Sequence, residues 1–487
     1  MMTEQGTRSG AQTRIDRFFH ISERGSTAAR EVRGGLVTFV AMAYIIVLNP
    51  LILGSFSADA PGATTDAFGD ILPVNQVAAV TALVAGVMTI LFGFVANYPF
   101  ALAAGLGVNA LVAVTIAPQM SWEAAMGLVV INGLVVLLLV VTGVRTMVFN
   151  AVPASLKAGI AVGIGLFITL IGLVDAGFVT SPDAGTPLTL GFSGSIASWP
   201  TLVFVLGLII TGGLVAKNVK GGILIGVLAG TVISVVLEAV LNIGPVSDSN
   251  PKGWSLGYPA LPEDVIGLPD LSLLGEFSFD AWAQVPAISA ALLVFTLVLT
   301  DFFDTIGTMT GLGKQSGVIR ADGKLPGVGK ALFIDSVGAV AGGAASSSSN
   351  TVFVESAAGI GEGARTGLAN IVTGLLFLAA MFFTPLYEVV PIEAAAPALV
   401  VVGALMMRQV TEIDFGDFSI ALPAFLTMVV MPFTYSIANG IGAGFISYVV
   451  LRTVTGRARE VHSLMWIVSA AFVIYFAIGP ISAALGA

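Results

Sequence analysis

Ser346–Ala364, SSSSNTVFVESAAGIGEGA, lies inside otherwise strongly apolar sequence and carries an ionisable Glu355. It cannot be an ordinary spanning helix. Ser and Asn crowd its start, the β-branched and aromatic run Thr351, Val352, Phe353, Val354 favours extended chain, and Gly359, Gly361 and Gly363 loosen the helix that follows. At bilayer depth such backbone is tolerated only where protein or a water-filled cavity satisfies its polar groups, and a carboxyl there points to function. The alternative is a polar loop at the membrane surface.

The first half of the chain argues against that alternative, because it holds a near copy. AAGLGVNA at 103–110 and AAGIGEGA at 357–364 share two Ala, two Gly and a closing Ala at a constant offset of 254 residues, and the extended-prone Pro99-Phe100-Ala101-Leu102 precedes the first copy. An offset of about half the chain implies an internal duplication. Matching marks follow: Val152-Pro153 and Val390-Pro391 each open an apolar run, and Gly221, Gly222 and Gly226 resemble Gly440, Gly442 and Gly444. Broken elements at corresponding places in two halves are the sequence sign of a transporter site at the repeat interface.

Composition bounds the class. Of 487 residues, 56% are hydrophobic and only 10% charged, with a mean hydropathy of +0.97, which describes a polytopic membrane protein. A net charge of -9 speaks against nucleic acid as a partner. With no cysteine, thiolate nucleophiles and Cys-based metal or iron–sulfur sites are excluded. The first thirty residues are polar and contain Arg8, Arg14, Arg17, Arg24 and Arg30, which reads as a cytoplasmic tail rather than a cleavable signal.

Apolar runs long enough to span, or short enough to be half-helices, fall near 33–53, 76–96, 99–116, 124–142, 151–174, 200–216 and 221–242. After a Pro-, Asp- and Gly-rich loop at 244–283 come runs near 285–310, 329–345, 350–363, 367–384, 394–408, 417–435 and 438–452. Seven and seven fits the duplication; Ser463–Ala484 is a further apolar run without a partner.

Lys and Arg mark every second connection: Arg145; Lys217 and Lys220; Lys314, Arg320, Lys324 and Lys330; Arg408; Arg452, Arg457 and Arg459. The others are acidic: Asp59, Asp66 and Asp70; Asp175 and Asp183; Glu263, Asp264 and Asp270, where Lys252 is the lone base; Glu388. This alternation puts the N-terminus in the cytoplasm and an odd number of spans in each half, so the repeats are inverted.

The chemistry must lie in the polar side chains left at depth. Asp301 and Asp304, in TDFFDT at 300–305, are three apart on one helix face and can reach one cavity. Two ionised carboxylates close together in low dielectric repel, so one of them holds a proton near neutral pH. For Asp304 the alternative is a structural carboxyl between helices, and for Asn109 a structural amide; Asp335 reads as structural, and Glu362 as an interfacial ion pair with Arg365. His20 and His462 lie outside the apolar runs, so a proton relay at depth uses carboxyls.

Six strings carry a family resemblance: AMAYIIVLNPLIL (41–53), NYPFALAAGLGVNA (97–110), SLKAGIAVGIGLFI (155–168), TDFFDTIGT (300–308), SSSSNTVFVESAAGIGEGARTGLA (346–369) and SIANGIGAGFISY (436–448). They resemble the AzgA-like adenine, guanine and hypoxanthine permeases of the nucleobase:cation symporter superfamily, over about residues 15 to 480. The resemblance implies an all-α polytopic membrane protein with the UraA-like 7+7 inverted-repeat fold and two short strands in broken spans 3 and 10. It further implies a core domain at 31–143 and 284–384 and a gate domain at 151–242 and 394–454; residues 1–30 read as the cytoplasmic tail, and the extra apolar segment at 455–487 departs from the minimal fourteen-span fold.

In that family's terms the substrate-binding set is Asp301, Glu355, Asn109, Asp304, Phe100, Phe353, Ala104 and Ser356, with Glu355 and Asp301 coupling the proton. A neutral purine offers ring N–H donors to a carboxylate and acceptors to backbone N–H groups, and Phe100, Phe302, Phe303 and Phe353 could flank a planar ring or simply pack. The expected partners are a purine nucleobase, a proton or Na+, and the bilayer of the cell membrane; a homodimer is compatible with the sequence, and no cofactor is called for. An anion carrier on the same fold would place a base or bare helix ends at Glu355, and an intramembrane aspartyl protease would put its two aspartates on separate spans.

Overall fold

The computed structural model describes residues 14–485 apart from 56–57, 59–62, 144–151, 182–185, 192–193, 248–249, 256–257, 260–263, 319–325 and 388. Of the charge pattern, Asp59, Arg145, Asp183, Glu263, Arg320, Lys324 and Glu388 lie outside the described residues, as does the side chain of Phe303. The first half runs α1 (Arg14–Phe19), α2 (Ala28–Met42), α3 (Ile45–Leu53), α4 (Val74–Val95), β1 (Leu102–Ala104), α5 (Leu106–Leu111), α6 (Trp122–Val141), α7 (Ala154–Asp175), β2 (Val179–Thr180), β3 (Thr189–Leu190), α8 (Trp199–Ala216) and α9 (Gly222–Leu241). The second runs α10 (Ala281–Gln284), α11 (Ala287–Ser316), α12 (Val328–Ala344), β4 (Asn350–Val352), α13 (Ser356–Gly361), α14 (Leu368–Ala380), α15 (Ile392–Met406), α16 (Phe418–Phe433), α17 (Ile437–Val454) and α18 (Ser463–Leu485). Among the described residues nine helices are long and apolar enough to cross a membrane, with four shorter apolar helices beside them. The chain is a multi-pass membrane protein.

Helix starts follow local chemistry. Ser121, Ser198 and Ser436 accept from the backbone N–H three residues on, each satisfying a donor that the first turn leaves free. Pro153 and Pro391, the two matched Val-Pro marks, stand at the N-caps of α7 and α15 and so open equivalent spans of the two halves. The run read near 33–53 begins at Ala28 and is interrupted at Ala43–Tyr44, and the run read near 285–310 continues to Ser316.

At the centre, β1 and β4 pair antiparallel, with Leu102 opposite Val352, Ala103 opposite Thr351 and Ala104 opposite Asn350. Each strand leads into a short helix, α5 or α13, so two broken spans meet at their strands. Lipid offers no hydrogen bonds, so each strand must find its partners inside the protein. The ladder is extended by Gly105 N–H to Ser349 O and Phe353 N–H to Ala101 O, both 2.9 Å. Thr89 of α4 accepts from Leu102 N–H at 2.9 Å and donates to its carbonyl at 3.0 Å. Asn370 of α14 donates to Phe100 O at 2.6 Å.

The two halves are thus equivalent by element, but the repeated word is not their register. Ala103 and Ala104 lie in β1, whereas their string counterparts Ala357 and Ala358 lie in α13. Small residues satisfy both a tight strand and a tight half-helix, so the same letters recur at different places in the motif. Extension in the second copy is likewise limited to Asn350–Val352, ahead of a turn at Val354–Glu355.

Helices pack in two groups. α2, α3, α4, α13 and α14 interlock, with α6, α11 and α12 alongside; α7, α15, α16 and α17 form the other, joined by α8 and α9. Facing glycines set the closest crossings: a Cβ on Gly86 would lie 2.9 Å from Gly374 O, and one on Gly403 would lie 2.4 Å from Gly165 O. The unpartnered α18 rests on α17 and α11, where Phe472 meets Phe445 and Phe295 edge-on. The segment before α2 is docked, Asn97 donating to Phe19 O at 3.0 Å and Ser26 to Gly363 O at 3.0 Å.

Candidate functional site

Alternate residues of an extended strand share one face, and Ser349 and Thr351 use that face to meet α11. Asp301, 2% exposed, accepts from Ser349 Oγ at 3.1 Å and from Asn132 Nδ2 of α6 at 3.0 Å. One turn further, Asp304 accepts from Thr351 Oγ1 at 3.3 Å. The shared face inferred for the two aspartates is therefore turned to the β4 segment. Asp335 accepts from Thr305 at 3.1 Å, a bond between α12 and α11, in keeping with a structural carboxyl.

Glu355 ends the turn after β4. It occupies the N-cap of α13 but makes no side-chain cap bond. Its Oε1 instead accepts from the Tyr44 hydroxyl at 2.5 Å, and Tyr44 is fully buried at the interruption between α2 and α3. The carboxylate therefore does not cap the half-helix N–H groups: a short turn aims the side chain across to the first span. Asp301 and Asp304 thus bind the two residues that flank Asn350, and Glu355 follows four residues after Thr351 on the same segment.

Asn109, on α5, donates to Asn49 Oδ1 at 2.5 Å; Asn49 in turn donates to Thr81 Oγ1 at 2.7 Å and to Ser347 O at 3.1 Å. That chain fastens α3, α4 and α5 to the approach of β4, while Asn109 Oδ1 stays buried without a hydrogen-bond partner. Ala104 contributes strand backbone opposite Asn350. Ser356 Oγ accepts from Ala101 N–H at 3.0 Å, and Phe353 is buried with its N–H on Ala101 O. The Phe100 ring stacks on Tyr98 at 5.1 Å and lies tilted to Phe92 at 6.3 Å.

Glu362 also requires correction. Its carboxylate pairs with Arg33 Nε at 2.8 Å and with Lys220, not with Arg365. α13 ends at Gly361 and Gly363 has φ +99°, so the helical i,i+3 geometry is lost. Arg365 instead donates to Ile360 O at 2.8 Å and Ala364 O at 2.6 Å, and its backbone N–H binds buried Glu31 at 2.9 Å.

Sequence reading missed Tyr44, Asn49, Asn132, Ser349 and Thr351. The available signal was polarity at depth: Asn132 stands alone in VVINGLVV, and Asn49 in IIVLNPLIL. Residues 287–313 and 346–361 contain no Lys, Arg or His. These segments are accordingly rich in hydrogen-bond acceptors and carry no basic side chain of their own beside their carboxylates.

Residues 29–443 match the Permease family, Xan_ur_permease. The chain is 38% identical to the guanine/hypoxanthine permease PbuG of Bacillus subtilis, covering 94% of this chain and 98% of that one. It is 35% identical to the adenine permease AdeP of Escherichia coli, over 97% and 98% of the two chains. Among solved structures, the transmembrane domain of the cyanobacterial bicarbonate transporter BicA superposes with a TM-score of 0.59 at 16% identity, covering 85% of this chain and 97% of that one. The murine anion transporter solute carrier 26 member A9 gives 0.57 at 12%, covering 93% and 74%. At those identities the two structures speak to the fold alone, and the fold is the UraA-like one expected from the sequence.

Proposed function

Because the chain belongs to the Permease family, we propose that it is a secondary active transporter that imports purine nucleobases with a cation by alternating access. The observation that carries the reading is the acceptor-rich site: Asp301 and Asp304 bind the β4 segment and Glu355 ends the turn after it, in segments free of basic residues. The names of PbuG and AdeP, relatives matched nearly end to end, support a purine as the ligand.

Glu355 accepts from a purine ring N–H, and backbone N–H groups of the broken spans donate to its ring acceptors. Asp301 is the second base ligand, and Asp304 and Asn109 shape the site beside it. H+ is the coupling cation, bound by Glu355 or Asp301 on the outer side and released within; Na+ is the other candidate. Residues 31–143 and 284–384 form the core that carries the site, and 151–242 and 394–454 the gate against which it moves. The N-terminus faces the cytoplasm of a cell whose plasma or inner membrane holds the protein.

The solved neighbours are named for bicarbonate and anion transport, which makes an inorganic anion the second reading. Three neighbouring carboxylates oppose it, since like charges at this depth cost several kcal/mol. Uptake of labelled hypoxanthine by cells expressing the protein, with excess unlabelled guanine, adenine, uracil or sulfate, decides between them. Competition by purines alone is expected; uracil competing as well as hypoxanthine, or sulfate uptake without purine uptake, overturns the purine assignment.

A further inference from the structure

α7 and α15 meet at a second polar site that purine binding does not use. α7 ends at Asp175, α15 begins at Ile392–Glu393, and the segment 195–201, which includes the start of α8, and the loop 251–255 flank a partly open cavity of about 260 Å³. Asp175, Glu393, Lys252, Thr180, Ser198 and Ser255 line it. It lies at the opposite end of α7 from Ser155, whose hydroxyl bonds Asp414 N–H at 3.2 Å.

Glu393 is 0% exposed. Its Oε1 accepts from Ser255 N–H at 2.8 Å, but Oε2 is buried with no hydrogen-bond partner. Such an oxygen is costly when ionised, and a second carboxylate on the same cavity raises the cost. Lys252 is exposed at the rim and, among the described residues, forms no ion pair with either acid.

We propose that this cavity binds a hard divalent cation, Mg2+ or Ca2+, between Asp175 and Glu393, with water completing its shell. The acids and hydroxyls around it offer only oxygen, and neither sulfur nor imidazole is present to favour a softer metal. Two carboxylates are too few for a dry protein cage and match an ion that keeps several waters. At roughly 30 Å³ per water, the cavity has room for about eight, so the ion need not dehydrate. Bound there, it fastens the end of α7 to the start of α15 and to the 251–255 loop, and it supplies the partner that Glu393 Oε2 lacks.

The test uses the full-length protein in detergent, stripped with EDTA and titrated with Mg2+, Ca2+ or Na+ while Tm and binding heat are recorded. One saturable divalent site per chain is expected, raising Tm by several degrees, with Na+ ineffective at equal concentration. Glu393→Gln keeps an acceptor for Ser255 and should abolish the effect; Asp175→Asn should weaken the ion about tenfold, because site charge sets affinity. Lys252→Gln removes a like charge from the rim and should tighten binding several-fold, a readout that does not depend on the two buried positions tolerating change. No heat and no Tm shift in the wild type at about 10 mM divalent ion, beyond the weakest sites of this kind, overturns the proposal. So does a divalent response unchanged in Lys252→Gln or in both carboxylate variants.

Discussion

The Tyr44 hydroxyl donates a 2.5 Å hydrogen bond to Glu355 Oε1, joining the interruption of the first span to the carboxylate at the mouth of the second broken span. Tyr44 is fully buried and Glu355 partly exposed, so the bond holds the acid to a fixed point and sets where it points. It makes Tyr44 a positioning residue for the proposed purine ligand.

Tyr44→Phe should therefore weaken purine binding with little loss of folded protein, since it removes one oxygen and keeps the ring. A hydrogen bond to a charged group contributes roughly 1.5 to 3 kcal/mol, and because Tyr44 acts through Glu355 the lower figure applies, about a tenfold loss of affinity. The pH dependence of binding should shift as well, because the hydroxyl donates only to an acceptor oxygen of the acid. Equilibrium binding of labelled hypoxanthine to purified protein checks both; unchanged affinity and pH profile would show that the bond only packs the span.

Glu355→Gln tests the acid itself. Gln keeps the shape and one acceptor but cannot ionise, so affinity should fall by about one to two powers of ten, by the same charge-assisted bond of roughly 1.5 to 3 kcal/mol. Whatever binding survives should lose much of its dependence on pH between about 5 and 8, the range in which a proton shared among neighbouring carboxylates exchanges. Asp301→Asn should also impair binding. Wild-type affinity together with wild-type pH dependence in Glu355→Gln would remove it from the site.

Much of this was legible before any coordinates, and for identifiable reasons. Ser346–Asn350 and Gly359–Gly363 break an apolar stretch in a way only a cavity tolerates, so the second broken span could be read from composition alone. Asp301 and Asp304 were visible because charge at depth is rare. What was not legible depends on side-chain direction across elements distant in sequence. Nothing near Tyr44 indicates that it meets Glu355, 311 positions away, nor does Phe100 announce that it turns to Tyr98. The equivalence of AAGLGVNA and AAGIGEGA misled because Ala and Gly serve strand and half-helix alike.

Topology can be tested without background, since the chain has no cysteine. Ser181 and Gln315 are both exposed, whereas Ser316, a neighbouring choice, is buried with its hydroxyl on Gly313 O. With the N-terminus in the cytoplasm, a cysteine at Ser181 should react with an impermeant maleimide in intact cells, and one at Gln315 only after permeabilisation. The reverse pattern would invert the orientation drawn from the Lys and Arg alternation.

Lys220 and Glu362 give the last test, of movement between the two helix groups. Lys220 lies in the turn between α8 and α9, and Glu362 caps the end of α13, so their ion pair joins the group built on α7 and α15 to the broken span that carries Glu355. Arg33 of α2 holds the same carboxylate from the other side at 2.8 Å. If the groups move past one another during transport, Lys220 must leave Glu362 in one of the two end states, while Arg33, packed in the same group as α13, stays with it. Lys220 is half exposed, so the pair contributes no more than about 1 kcal/mol, enough to shift a two-state balance up to roughly fivefold. Contrary to the small effect expected from a local pair with Arg365, Glu362→Gln should therefore change hypoxanthine uptake rate by about two- to fivefold while leaving equilibrium affinity near wild type. Lys220→Gln should change the rate in the same direction, and the double variant should be no worse than Glu362→Gln alone, because without that carboxylate Lys220 has lost its partner there. Additive losses in the cycle, or loss of affinity equal to the loss of rate, would show that the pair does not link the moving parts.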